Sequence, residues 1–84
     1  MLSTKKRISI IVPAYNAEKT IKNSLKAIIR ETKNIITEII VVDDNSNDNT
    51  AQIVSSFKKI KLIVLKKNKG AGNARNIGVK KAKY

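Results

Sequence analysis

Residues 38–48 read Glu38-Ile39-Ile40-Val41-Val42-Asp43-Asp44-Asn45-Ser46-Asn47-Asp48, and the class of fold follows from this pattern. Four consecutive apolar residues, all β-branched, make a short strand without polar alternation, so both of its faces must be buried. The run is cut off by two acids and a cluster of turn-forming residues. Ser46 or Asn47 can cap a following helix, in which Ala51, Ile53, Val54 and Phe57 form a buried stripe.

The same unit recurs on either side. Upstream, Ile8-Ser9-Ile10-Ile11-Val12 is a β-branched run closed by Pro13. After a loop to Asn16, apolar residues at Ile21, Leu25, Ile28 and Ile29 define one face of an amphipathic helix that starts at Ala17 and ends near Thr32. Downstream, Leu62-Ile63-Val64-Leu65 is a third strand and Lys66–Gly72 a loop. Ala74, Ile77, Gly78, Lys81 and Ala82 then give a third helix with a small-residue face. Strand and helix alternate three times with near-continuous apolar strands. The expected fold is therefore α/β: a three-layer β-α-β-α-β-α unit with a parallel sheet and right-handed crossovers. The chain ends at Tyr84, where another strand is expected, so residues 1–84 read as the front part of a larger domain. Three parallel strands leave bare edges, which makes self-association through an exposed sheet flank an expectation.

The 84 residues are 42% apolar but only 4% aromatic, so the core must come from Ile, Val, Leu and Ala. Cys is absent, which excludes disulfides and thiolate metal sites. His is absent too, removing the commonest zinc ligand and the commonest neutral-pH base, and with it any Ser–His or Cys–His pair. The formal charge is +12. All six acids lie between Glu18 and Asp48, and every charged residue beyond Asp48 is basic. Such a tail suits phosphates, an anionic lipid surface or an acidic partner segment, and equally a plain solvated Lys-rich surface. Lys5-Lys6-Arg7 before Ile8–Val12 imitates a secretory signal. The apolar run is too short for one, and no stretch approaches the roughly 20 apolar residues of a membrane span. The chain reads as cytoplasmic.

Ligands of open parallel sheets bind at the carboxyl ends of the strands. The polar residues gather at those three ends: Pro13-Ala14-Tyr15-Asn16-Ala17-Glu18, then Asp43 to Asp48, then Lys66 to Asn76. Three clusters on one rim make a cleft. Asp44 can accept a hydrogen bond from a base imide or a ribose hydroxyl, or else Asp43 and Asp44 only cap the next turn and helix. Lys69–Arg75 offers Gly for close backbone approach and Arg75 for phosphate, or else a flexible basic loop with tight packing by Gly72, Ala74 and Gly78. Tyr15 can stack on a base or anchor its loop, and Glu18 and Asp48 also suit the first turns of their helices. Gly70-Ala71-Gly72 lacks the third glycine of a dinucleotide fingerprint and follows the wrong strand; no Walker-type loop is present.

Three stretches, ISIIVPAYNAEKTIKNSLKAI (8–28), EIIVVDDNSNDNT (38–50) and NKGAGNARNIGVKKA (68–82), together resemble the inverting family 2 glycosyltransferases, which have the glycosyltransferase-A fold. The resemblance runs from Ile8 to Ala82 in the family's order and spacing. It implies that Pro13, Tyr15 and Glu18 line a nucleotide pocket and that Asp44 contacts the base. Asp43 would be structural, and Asp48 would brace its loop. Lys69, Gly70, Asn73 and Arg75 would lie near ribose and diphosphate. The implied partner is a nucleotide-diphosphate sugar, first of all a UDP-sugar. The implied cofactor is a divalent cation, Mg or Mn, held by an Asp-x-Asp type motif on the next strand. That motif, the acceptor site and the acidic general base are not in this sequence, so the 84 residues are expected to be inactive alone and to need the missing C-terminal half. In the full-length protein the resemblance also fits a membrane-peripheral location at an anionic surface.

Two other classes compete. A receiver domain needs its acid pair after the first strand and an Asp after the third, where this chain has Pro13 and Lys66. A basic nucleic-acid- or anionic-surface-binding module on a Rossmann-like scaffold accounts for the charge. For nucleic acid, however, the lysines are scattered and Tyr15, Phe57 and Tyr84 are the only aromatics.

Overall fold

The computed structural model describes residues 6–84, so Lys5 of the basic triplet lies outside the described residues. Six elements alternate along the chain: β1 Arg7–Ala14, α1 Ile21–Glu31, β2 Ile36–Asp43, α2 Thr50–Ser55, β3 Ile60–Val64 and α3 Ala71–Lys81. The strands form one parallel sheet in the order β1-β2-β3. Its register sets Ile11 opposite Ile40 and Val42 opposite Ile63.

The central strand shows why its apolar run has no polar alternation. Ile39 and Val41 face α1 and α2, packing with Ile21, Leu25, Val54 and Ile60. Ile40 and Val42 face the other way, onto Ala74 of α3. Helices thus cover both faces and make three layers, as the strand composition requires. Ile40, Val41 and Val42 are wholly buried, each contributing roughly 1.5–3 kcal/mol by removal from water.

Helix α3 lies across β1 and β2, and its small residues allow the close approach. Ala74 and Gly78 are buried one turn apart. A Cβ at Gly78 would overlap Cγ2 of Ile11 and stand 3.2 Å from Cγ2 of Val42.

Three local expectations are corrected. Helix α1 begins at Ile21, and Ile29 is 42% exposed, because it lies about 100° round the helix from Ile28, which packs inward. Gly72 is not a packing glycine: a Cβ there would meet nothing within 4 Å. At the start of α2 it is Asp48, rather than Ser46 or Asn47, that accepts a backbone N–H, that of Thr50, at 3.0 Å.

At the amino ends of the strands, Glu38 gathers the whole sheet. Its carboxylate accepts hydrogen bonds from Ser9 Oγ of β1 at 2.8 Å, from Lys61 Nζ of β3, and from the Lys83 backbone N–H at 2.7 Å. Ser9 Oγ in turn accepts the Tyr84 N–H at 3.1 Å. The Lys61 ammonium first, then the Lys83 N–H and the Ser9 hydroxyl, pull the Glu38 pKa down to about 2, against the opposing effect of burial.

Candidate nucleotide-binding rim

Parallel strands place the carboxyl ends of β1, β2 and β3 on one rim, and three loops leave from it. The first two are fastened together by side chains. Asn16 adopts φ 48°, a left-handed conformation that Asn tolerates. Its N–H donates to Ser46 Oγ at 2.9 Å, and its Oδ1 accepts the Asn47 N–H at 2.8 Å. Ala17 N–H donates to buried Thr50 Oγ1 at 2.8 Å, and Glu18 N–H donates to Asp48 Oδ2 at 3.2 Å. Burial raises the Asp48 pKa, but the side-chain and backbone donors of Thr50 and the Glu18 N–H outweigh it and hold the group below its ordinary value.

The two adjacent acids divide their work. Asp43, on the α1 and α2 face, closes its own turn by accepting from the N–H and hydroxyl of Ser46. Asp44, one residue on, points to the opposite face and is 2% exposed. Its Oδ1 accepts the Lys69 N–H at 3.0 Å, and its Oδ2 accepts the Gly70 N–H at 2.8 Å. Asn68 Nδ2 also donates to the Asp44 carbonyl at 3.2 Å. Gly70 itself has φ 94°, a conformation that favours glycine, and precedes the first residue of α3. Asp44 therefore shapes the third loop and sets a negative charge at the amino end of α3, where the helix dipole favours it.

The structure brings together some of the expected residues and separates others. Pro13, Tyr15 and Asp44 share a hollow of about 50 Å³ with Ala14 and Ala71. The Tyr15 ring is half exposed at its mouth, available for stacking. Lys69 and Asn73 line a neighbouring groove of about 330 Å³ with Lys66, Lys67, Leu65 and Ile77. Glu18 instead borders a groove between α1 and α2 with Lys22 and Gln52. Arg75 is exposed in the second turn of α3, and Gly70 is exposed just before its first turn. The hollow admits the edge of a ring, and the adjoining groove offers ammonium groups to anions. Together they suit a ligand with a planar neutral part and an anionic part.

The carboxylates present do not make a metal site. Asp43, Asp44 and Asp48 each spend their oxygens on N–H or hydroxyl donors of the loops, and no cluster of metal-ligating side chains occurs among the described residues. Asn16 and Thr50, which hold the first two loops together, escaped the sequence reading. Their only local signal is that both are short polar residues bordering the apolar elements.

A sequence model of the family described as "Glycosyl transferase family 2" matches residues 9–84. The chain is 38% identical over 80 residues to a poly-beta-1,6-N-acetyl-D-glucosamine synthase of Staphylococcus epidermidis, covering 92% of this chain and 19% of that protein. It is 43% identical over 79 residues to the Escherichia coli UDP-Glc:alpha-D-GlcNAc-diphosphoundecaprenol beta-1,3-glucosyltransferase WfaP, covering 90% of this chain and 31% of that one. Among solved structures, S. aureus TarS 1-349 in complex with UDP superposes with a TM-score of 0.80 at 37% identity, over 93% of this chain and 24% of TarS 1-349. The chain thus spans less than a third of the length of each. Its matching motifs, its parallel α/β architecture and these similarities together establish that the chain belongs to glycosyl transferase family 2, with the glycosyltransferase-A fold of that family's nucleotide-binding part.

Proposed function

We propose that this chain supplies the nucleotide-binding rim of an inverting glycosyltransferase that takes a nucleotide-diphosphate sugar, with UDP as the first choice, and passes the sugar to a hydroxyl acceptor. The observation that carries this reading is the shared hollow of Pro13, Tyr15 and Asp44 at the carboxyl ends of β1 and β2, beside a lysine-lined groove. In this reading Tyr15 stacks on the base and Asp44, already fixed by two backbone donors, uses a remaining lone pair on the base or ribose. Lys69, Asn73 and Arg75 lie toward the diphosphate and Gly70 lets the loop come close, whereas Glu18 borders the separate groove between α1 and α2.

In the transfer itself, the acceptor oxygen bonds to the anomeric carbon as that carbon's bond to the diphosphate breaks, and the hydroxyl proton passes to an acidic base. A divalent cation, Mg or Mn, would offset charge on the leaving diphosphate. Asp43, Asp44 and Asp48 are committed to donors of their own loops, so this reading assigns the metal ligands and the base to sequence outside residues 1–84 and expects the 84 residues alone to be inactive. A membrane-peripheral location and pairing through the bare sheet flank form part of the same proposal for the longer protein. Family membership makes a free-standing nucleic-acid-binding module a poorer account of the same charge.

Amide NMR of the chain titrated with UDP and then GDP tests the reading. Shifts confined to 14–18, 43–48 and 68–76 are expected, with UDP the tighter ligand. A dispersed spectrum that ignores both nucleotides at millimolar concentration would refute it.

A further inference from the structure

The parallel topology that puts the nucleotide rim at one pole puts every helix C-terminus and strand start at the other, and the basic residues crowd there. Arg30 and Lys33 stand at the end of α1, and Lys58 and Lys59 follow α2. Lys80, Lys81 and Lys83 close α3 and its tail, and Lys6, Arg7 and Lys61 start β1 and β3; all are exposed. Only two acids accompany these ten. Glu31 lies beside Arg30 at 3.8 Å, and Glu38 is buried beneath the Lys61 ammonium. The other four acids, Glu18, Asp43, Asp44 and Asp48, all sit at the nucleotide rim. Helix dipoles favour a cation at Arg30, Lys80 and Lys81, but they do not call for Lys6 and Arg7 at a strand start or for this density.

The same half of the molecule also exposes apolar side chains among the lysines. Ile36 opens β2 and is 37% exposed, while Tyr84 ends the chain at 50%. Ile29 and Val79 lie on the lower turns of α1 and α3 and are exposed as well. Lysines interleaved with an aromatic and branched aliphatic residues suit the headgroup layer of an anionic bilayer, where ammonium groups meet phosphates and the apolar side chains enter the acyl boundary. A nucleic-acid surface would offer nothing to Ile36 or Val79.

We propose that this basic pole is the face by which the protein docks on an anionic phospholipid surface, holding the nucleotide rim on the far side, open to the aqueous phase. The inference stands on the charge distribution and does not depend on which nucleotide the rim binds.

Co-sedimentation of the 84-residue chain with phosphatidylglycerol–phosphatidylcholine vesicles tests it, with circular dichroism to check the fold of each variant. Neutralising one lysine near such a surface weakens binding roughly 5-fold, so the triple variant K33Q/K58Q/K59Q should lose roughly 100-fold in partition coefficient. K19Q/K66Q/K67Q, which removes the same charge at the rim, should lose less than about 5-fold. Tyr84→Ser with Ile36→Ser should lower binding in a way that added salt does not reproduce. Equal losses in the two triple variants would show that net charge alone is at work and would overturn the assignment. So would failure to sediment with anionic vesicles, or equal sedimentation with pure phosphatidylcholine. Tight duplex DNA binding that outcompetes the vesicles at equal charge would reassign the pole to nucleic acid.

Discussion

Removing the Asp44 carboxylate should destabilise the domain before any ligand is considered. In Asp44→Ala, the N–H groups of Lys69 and Gly70 lose acceptors held at 3.0 and 2.8 Å. Hydrogen bonds to a charged group contribute about 1.5–3 kcal/mol each. Lys69 and Gly70 are exposed, so water can satisfy the freed donors and the lower end applies, giving about 3 kcal/mol for the pair. Loss of a negative charge at the amino end of α3 adds about 0.5 kcal/mol. Against a total stability of about 5–15 kcal/mol for a domain, such a loss is large. Urea unfolding followed by circular dichroism should show the midpoint falling with the slope unchanged. Asp44→Asn keeps one acceptor and should lose about half as much. The amides of Lys69 and Gly70 should become the fastest exchanging of their loop in both variants. A change below about 0.5 kcal/mol in Asp44→Ala would refute the reasoning, because the carboxylate would then be free for ligand alone.

Other outcomes follow from single contacts. Gly78→Val should push α3 off the sheet against Ile11 and Val42 and destabilise by about 2–3 kcal/mol or prevent folding, read by loss of amide dispersion. Gly70→Ala, forced to φ 94° and ψ 161°, a region open essentially to glycine alone, should lose about 1–3 kcal/mol, although nothing lies within 4 Å of the new methyl. The Glu38 pKa is lowered from 4.5 to about 2 in the folded chain. Its contribution is therefore complete above pH 4.5 and fades as pH falls from there toward 2. Glu38→Gln should flatten the urea midpoint across that window and leave the curve above it parallel to the parent. Thr50→Val should leave the Ala17 N–H without its acceptor and take one of three donors from Asp48, loosening the join between the first two loops by about 1–2 kcal/mol, visible as faster exchange at Ala17.

The elements themselves were legible because their signals are local. Apolar, largely β-branched runs at Ile8–Val12, Ile39–Val42 and Leu62–Leu65 call for burial on two faces, and helical spacing between them supplies the cover; the third strand itself runs from Ile60 to Val64. Ile29 misled the reading of α1, since one extra apolar residue beside Ile28 widens the apparent face without changing which side packs. For Gly72 the sequence leaves loop and packing roles open, since a glycine two residues before Ala74 cannot be told by spacing from one that touches the sheet.

For the rim, the sequence sufficed to say that polar clusters at three strand ends would meet, because parallel topology leaves them nowhere else to go. The family resemblance implies a structural Asp43 and a loop-bracing Asp48, and each accepts a backbone N–H from within three residues, that of Ser46 and that of Thr50. The commitment of Asp44 to Lys69 and Gly70 was not readable. It spans 25 and 26 residues and exists only because the alternating faces of β2 aim Asp44 at α3 and Asp43 away from it. The basic pole arose in the same way. Its lysines are scattered from Lys6 to Lys83, and they become one surface only when three parallel crossovers return every helix C-terminus to the same end of the sheet.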